Sequence, residues 1–225
     1  MNNIQVKKRR EFYTTKDFPK LLTLEENFKG ILTEFNKNLN EQGENLFEMW
    51  VEKELYEESN PTGWQVSPII VNGQKINNKH EKFPFLCEVL DKIPGIVSAL
   101  FSLLKPKTTI CEHEGYQNYA DKILRYHLGV IVPKGDIALR CNNIIKYWQN
   151  GKSFIFDDSL PHGAWNNSNF NRYVLIVDFI KNDIETVKDL NDVILTSEAQ
   201  YFYEKYNKNN LITEKNIQIY LFYYI

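Results

Sequence analysis

A mainly β chain with flanking helices is the fold class this sequence predicts, its core a closed or double-sheet antiparallel architecture such as a jelly roll. Three observations predict it. Short β-prone runs crowd between Ala99 and Phe179. Turn-forming stretches, Pro133-Lys134-Gly135-Asp136 and Gln149-Asn150-Gly151-Lys152, break them apart. Apolar spacing at three- and four-residue steps, the mark of a helix, lies ahead of this region.

The elements follow in order. Asp17-Phe18-Pro19 opens a helix in which Leu24, Phe28, Ile31, Leu32, Phe35 and Leu39 line one apolar face. A second helix is expected over Leu46 to Leu55. After Asn60-Pro61-Thr62-Gly63, the run Trp64 to Val71 reads as a strand ended by Asn72-Gly73, and Pro68 inside it argues for an edge position. Phe85 to Leu90 reads as a helix stopped by Pro94-Gly95. The strands expected next are Ala99 to Leu104, Thr108 to Glu114, Ile123 to Val132, Ile137 to Cys141, Ile144 to Trp148, Ser153 to Phe156 and Tyr173 to Phe179. Val187 to Lys208 reads as helix, and the aromatic end Ile217 to Ile225 is expected to pack back onto the body.

With 225 residues, 43% of them hydrophobic, the chain is long enough for a sizeable core and suits one domain. The expected layout is a mainly helical part over 1–96, a jelly-roll core over 97–180 and a helical extension over 181–225. A net charge of -2 and a pI near 6.1 argue against nucleic-acid binding, which needs a basic face. The basic run Lys7-Lys8-Arg9-Arg10 reads as a solvated tail. No apolar stretch approaches the roughly 20 residues of a membrane span, and Met1 to Gln5 lacks the apolar core of a secretory signal. Cys87, Cys111 and Cys141 are scattered without a Cys-x-x-Cys pair, so reduced thiols in a cytoplasmic protein are the expectation.

Three of the four histidines, His113, His127 and His162, fall in the strand-rich region, and Arg172 follows ten residues after the last. Side chains two apart on a strand share a face, so His113 and position 115 would point into one cavity. An iron centre built on the facial triad of two histidines and a carboxylate places Asp or Glu at that second position. Here it is Gly115, which leaves two imidazoles, His113 and His162, as protein ligands, unless the histidines are unrelated. A dicarboxylate held in such a barrel needs a cation at its far end, and the planar fork of Arg172 suits it better than a lysine would. Arg125 and His127 again stand two apart on a predicted strand and would share a face.

The stretch from Phe101 to Asp178 carries a fuller pattern: Phe101-Ser102 with Pro106, His113-x-Gly115, Leu124-Arg125-Tyr126-His127-Leu128-Gly129, Arg140-Cys141, Trp148 with Gly151-Lys152, Phe156-Asp157-Asp158-Ser159, His162 with Trp165, and Arg172 with Asp178. In order and approximate spacing it resembles the aspartyl/asparaginyl β-hydroxylase family of iron(II)- and 2-oxoglutarate-dependent oxygenases. The resemblance implies a double-stranded β-helix, cupin-like core. It implies that His113 and His162 bind iron, that Ser102, Arg125, His127 and Arg172 contact 2-oxoglutarate, and that glycine at 115 belongs to the family's pattern. Cys111-Glu112 departs from it, since the family more often has a proline there. Asp157 and Asp158 read as turn caps ahead of Ser159 in preference to a catalytic duty.

The function implied is hydroxylation of an unactivated carbon with oxygen and 2-oxoglutarate as partners. The expected target is the β-carbon of an aspartyl or asparaginyl residue, or of a related amino acid. An acidic or amide-bearing substrate is expected to meet a basic wall that includes Arg140, with the N-terminal helices and the loop from Asn72 to Phe83 shaping the entrance. Two other classes stand beside it. A halogenase would use the position vacated at Gly115 for chloride, and a non-catalytic jelly-roll binding module would need ligands lost that are all present.

Overall fold

In a computed structural model, which describes residues 10–76, 81–116, 122–181, 201 and 205–206, two antiparallel sheets stack around one interior. In chain order the elements are β1 (Phe12–Tyr13), α1 (Leu22–Glu26), α2 (Phe28–Gln42), β2 (Glu48–Met49), β3 (Trp64–Val71), β4 (Gln74–Lys75), α3 (Pro84–Leu90), β5 (Ile96–Leu104), β6 (Thr108–His113), β7 (Ile123–Ile131), β8 (Ile137–Cys141), β9 (Ile144–Tyr147), β10 (Ser153–Phe156), β11 (His162–Asn166) and β12 (Arg172–Ile180). The eight-stranded sheet runs β1-β10-β7-β12-β5-β3-β2, with β4 also on β3, and the four-stranded sheet runs β6-β11-β8-β9. The double-sheet antiparallel fold expected from the sequence is what forms.

Strand alternation explains why β12 is buried along its whole length. Tyr173, Leu175, Val177 and Phe179 face the helical layer, where they join Leu24, Ile31 and Phe35 of α1 and α2 in one core. Val174 and Ile176 face the other sheet and meet Ile110, Leu139 and Ala164. Phe35 packs 4.6 Å from Phe101 and 5.3 Å from Tyr173, measured between ring centres. Each such fully buried aromatic stabilises the fold by roughly 1.5–3 kcal/mol from burial alone. The helices therefore cover one face of the large sheet, which leaves its other face for the cavity between the sheets.

Several elements differ from expectation, the two-residue strands β1 and β4 among them. The first helix divides at Asn27, whose side-chain amide donates to the Thr23 carbonyl at 2.8 Å and competes with the backbone ladder. The helix expected over Leu46 to Leu55 is replaced by short 3-10 turns at Gly43–Leu46 and Lys53–Leu55 around β2. There Glu48 and Met49 pair with Val66 and Gln65, the Tyr56 hydroxyl donates to the Trp50 carbonyl at 2.8 Å, and Trp50 stacks on Trp64 at 4.7 Å, so tertiary pairing overrides a local helical pattern. The strand β11 has no counterpart among the strands expected from the sequence, which place none between Phe156 and Tyr173.

Pro68 sits in β3 where its missing N–H does least harm. One side of β3 pairs with β5; on the other, β2 covers Val66 and Gln65 and β4 covers Ile70 and Val71, so Pro68 falls in the gap beside a bulge. The part expected to be mainly helical, 1–96, also contributes β1, β2, β3 and β4 to the large sheet. The helix expected over Val187 to Lys208 and the packing of Ile217 to Ile225 lie outside the described residues, apart from Tyr201, Lys205 and Tyr206.

Candidate active site

His113, at the end of β6, is directly opposite His162, at the start of β11, in the antiparallel ladder, with ring centres 4.2 Å apart. The next residue, Gly163, lets the strands approach: a Cβ there would lie 2.9 Å from the Ile110 carbonyl oxygen. Each histidine Nδ1 lies 2.8 Å from a backbone carbonyl, that of Cys111 for His113 and that of Leu160 for His162. A carbonyl only accepts, so both Nδ1 atoms carry a hydrogen and Nε2 is the ring nitrogen left to face a metal, the arrangement a metal ligand needs. Burial and the neighbouring His162 push His113 down to about 4, which keeps it unprotonated near neutrality.

Asp158 takes up the space that position 115 leaves. A Cβ on Gly115 would lie 1.9 Å from Asp158 Oδ2, and the Gly115 N–H donates to the Asp158 carbonyl at 2.8 Å. Its Oδ1 is 3.2 Å from His162 Nε2. A lone pair facing a carboxylate oxygen at that distance needs a proton or a metal cation to relieve it. Burial alone would raise the Asp158 carboxyl, but Arg125, and after it His162, hold it well below the usual carboxylate range.

Arg125 is a fork between two acids. Its Nη1 donates to Asp158 Oδ1 at 2.6 Å, while Nε and Nη2 donate to the two oxygens of Asp178 at 2.7 and 3.0 Å. Arg125 and Asp178 are register partners on β7 and β12, which places them side by side. Asp178 also accepts from the Ser98 hydroxyl at 2.7 Å and the Tyr116 hydroxyl at 3.1 Å. Arg125 therefore already bonds carboxylates of this chain.

Arg172 is the opposite case. It is buried, its guanidinium lies 4.7 Å over the Trp148 ring, and Nε and Nη1 have no partner among the described residues. Desolvation lowers it to about 9. Trp148 Nε1 donates to His127 Nδ1 at 3.2 Å, so His127 carries its hydrogen on Nε2, and that buried N–H is unpartnered too. Burial, then Arg125 and Arg172, hold His127 neutral, well below its usual range. The Ser102 hydroxyl accepts from Trp64 Nε1 at 3.2 Å and keeps its own hydrogen to donate. Three orphaned buried N–H groups next to a free hydroxyl form a cradle for an anionic oxygen ligand, since leaving them unpaired costs about 1–3 kcal/mol each.

The residues expected from the sequence come together with one exception. His113, His162, Ser102, Arg125, His127 and Arg172 all line a single cavity, together with Trp64, Trp148, Phe156, Leu139 and Ile176. Arg140 does not. Leu139 points into the cavity, so its neighbour on β8 points out; Arg140 is exposed and donates to Glu112 at 2.8 Å. The expected basic wall through Arg140 is therefore absent. The entrance loop Asn72 to Phe83 lies partly outside the described residues. Of the two acids read as turn caps, Asp157 is one, its Oδ1 accepting from the Ser159 N–H at 3.2 Å, but Asp158 turns inward. Its place four residues before His162 was the signal available in the sequence. Among the described residues no group of three or more His, Cys, Asp or Glu side chains could hold a metal ion by itself. The donor set fits a metal held by two imidazoles and a bound dicarboxylate, on the strength of the paired tautomers and the orphaned donors.

The chain is similar to several known proteins. Residues 25–182 match the family model described as aspartyl/asparaginyl beta-hydroxylase. The chain is 34% identical over 171 residues to an ornithine lipid ester-linked acyl 2-hydroxylase of Rhizobium tropici, covering 75% of this chain and 60% of that protein. It is 32% identical over 155 residues to the human aspartyl/asparaginyl beta-hydroxylase, covering 67% of this chain and 18% of that protein. A Pseudomonas putida prolyl-4-hydroxylase structure superposes with a TM-score of 0.45 at 14% identity, covering 70% of this chain and 87% of that one. With the family model spanning most of the strands and both histidines, this chain belongs to the aspartyl/asparaginyl β-hydroxylase family.

Proposed function

We propose that the chain, as one oxygenase domain, is an iron(II)- and 2-oxoglutarate-dependent dioxygenase that hydroxylates an unactivated carbon. The observation that carries this reading is the pairing of two metal-ready imidazoles with a buried arginine that has no acid partner among the described residues. His113 and His162 would hold the iron. Arg172 would take the far carboxylate of 2-oxoglutarate, with His127 Nε2–H and the Ser102 hydroxyl as further donors. When bound, iron with 2-oxoglutarate and oxygen supplies the oxidation: the cosubstrate leaves as succinate and carbon dioxide, and a substrate C–H becomes C–OH.

The rest of the chemistry belongs to this chain's residues. Phe156, Ile176, Leu139 and Trp148 wall the cavity and keep water from it. Arg125 fixes Asp158 next to His162. That placement supports hydroxylation over halogenation, because a chloride at the space vacated by Gly115 would face the Asp158 carboxylate. For the substrate, the family supports the β-carbon of an aspartyl or asparaginyl residue, while the Rhizobium relative's name offers an acyl chain. The free Cys87, Cys111 and Cys141 suit a cytoplasmic setting; no helix among the described residues is long and apolar enough to cross a membrane. The test is succinate formation from 2-oxoglutarate with iron and ascorbate: activity in the wild type and loss in His113→Ala and His162→Ala support the reading, and full turnover in either variant overturns it.

A further inference from the structure

Two of the donors that await an anion in the cavity rest on one indole. Trp148, which lines the cavity, follows β9 directly and is buried. Its Nε1–H can only donate, so the 3.2 Å bond to His127 Nδ1 requires a lone pair there and sends the His127 hydrogen to Nε2. The His127 ring is stacked against the indole at 5.8 Å between centres, and the Arg172 guanidinium lies 4.7 Å over the same indole. Stacking and cation–π attraction restrain both side chains, yet His127 Nε2 and Arg172 Nε and Nη1 stay without a partner among the described residues. The other His127 tautomer would turn a lone pair toward a carboxylate oxygen, and two acceptors repel.

The turn that carries Trp148 is pinned to the strand that carries His127. Gly129, two residues after His127 on β7, donates to the Lys152 carbonyl at 3.1 Å, and its own carbonyl accepts from the Gly151 N–H at 2.8 Å. The Val132 N–H donates to the Asn150 side chain at 2.6 Å. So close an approach needs a glycine, since a Cβ at 129 would lie 2.3 Å from the Gln149 carbonyl oxygen. Gln149 is the residue after Trp148, so this contact fixes how far the indole stands from His127.

We propose that Trp148 is a positioning residue for 2-oxoglutarate, the cosubstrate of the reading above on which this inference rests: it selects the His127 tautomer and steadies the Arg172 fork. The test separates positioning from packing. In the full chain carrying isotope-labelled histidine, the two ring-nitrogen resonances of His127 report its tautomer, with His127→Gln providing the assignment. The ligand-free wild type is expected to hold the hydrogen on Nε2. A hydrogen on Nδ1 overturns the proposal, and that result needs no variant of Trp148 to fold. Trp148→Phe keeps a ring beneath Arg172 and removes the N–H. It is expected to let the His127 hydrogen move to Nδ1, and to weaken 2-oxoglutarate binding by the Mn(II)-loaded, oxygen-free protein about ten-fold, with Mn(II) affinity unchanged. An unchanged 2-oxoglutarate affinity overturns the proposal. So does a loss of affinity with the tautomer unchanged, or an equal loss of Mn(II) affinity, because each marks a general disturbance of packing. If the Mn(II)-loaded wild type binds no 2-oxoglutarate, the underlying reading fails, which is a separate outcome because the tautomer is read without ligand.

Discussion

Arg172 is where function opposes stability. A buried guanidinium with two orphaned donors destabilises the ligand-free fold, so Arg172→Met should stabilise the apo protein by on the order of 1–3 kcal/mol, read as a higher urea midpoint. The same change should weaken 2-oxoglutarate binding by on the order of 2–5 kcal/mol, and Arg172→Lys should recover only part of it, because a point charge does not replace a fork. Gly115 makes a second case. Aspartate there reads in the sequence as a third ligand, but its Cβ would collide with Asp158 Oδ2. Gly115→Asp alone should therefore lower metal affinity, whereas pairing it with Asp158→Gly should restore room and much of the affinity; equal affinity in the single variant and the wild type would contradict this. His127 gives a pH prediction. Its folded form resists protonation, whereas the unfolded chain takes up the proton near the ordinary value of about 6.5. Its contribution to apo stability is therefore present above that pH and lost as pH falls below it, and a urea midpoint that stays flat from neutral to mildly acid pH would contradict this.

Among the elements, legibility followed how local the cause was. Ile137 to Cys141 and Ser153 to Phe156 are read correctly to the residue because alternation and flanking turns are local signals. The strand carrying His162 was not legible, since Gly163 looks like a breaker until the Ile110 carbonyl opposite it is known. The helix expected over Leu46 to Leu55 failed for the same reason, its fate resting on Trp64 and Val66 from another strand. In the site, the two-residue spacing of Arg125 and His127 correctly put both on the interior face, yet spacing gave no sign that Asp158 and Asp178 would claim Arg125. The close approach of β6 and β11 is itself testable. Gly163→Ala forces a Cβ to 2.9 Å from a backbone oxygen next to a metal-ready histidine. It should cost about 1–3 kcal/mol of stability and weaken metal binding, both readable from melting curves with and without Mn(II).

For the whole molecule, the two-sheet architecture divides the labour. Helices α1 and α2 close one face of the large sheet with an apolar core, and the smaller sheet closes the other face over a cavity that brings together residues from β5, β6, β7, β11 and β12. No sequence window contains that set. Only the strand order, β10-β7-β12-β5 against β6-β11-β8, assembles it. In the proposed reading one end of this cavity holds iron through His113 and His162, and the other holds 2-oxoglutarate through Arg172. The most direct measurement is an oxygen-free titration of iron(II) and 2-oxoglutarate, reading the visible charge-transfer absorption of the chelate on the metal. The wild type should develop the band, His113→Ala and His162→Ala should not, and Arg172→Met should bind iron yet need far more 2-oxoglutarate to develop it. A band of full intensity in either histidine variant, or an unchanged 2-oxoglutarate midpoint in Arg172→Met, would contradict the account.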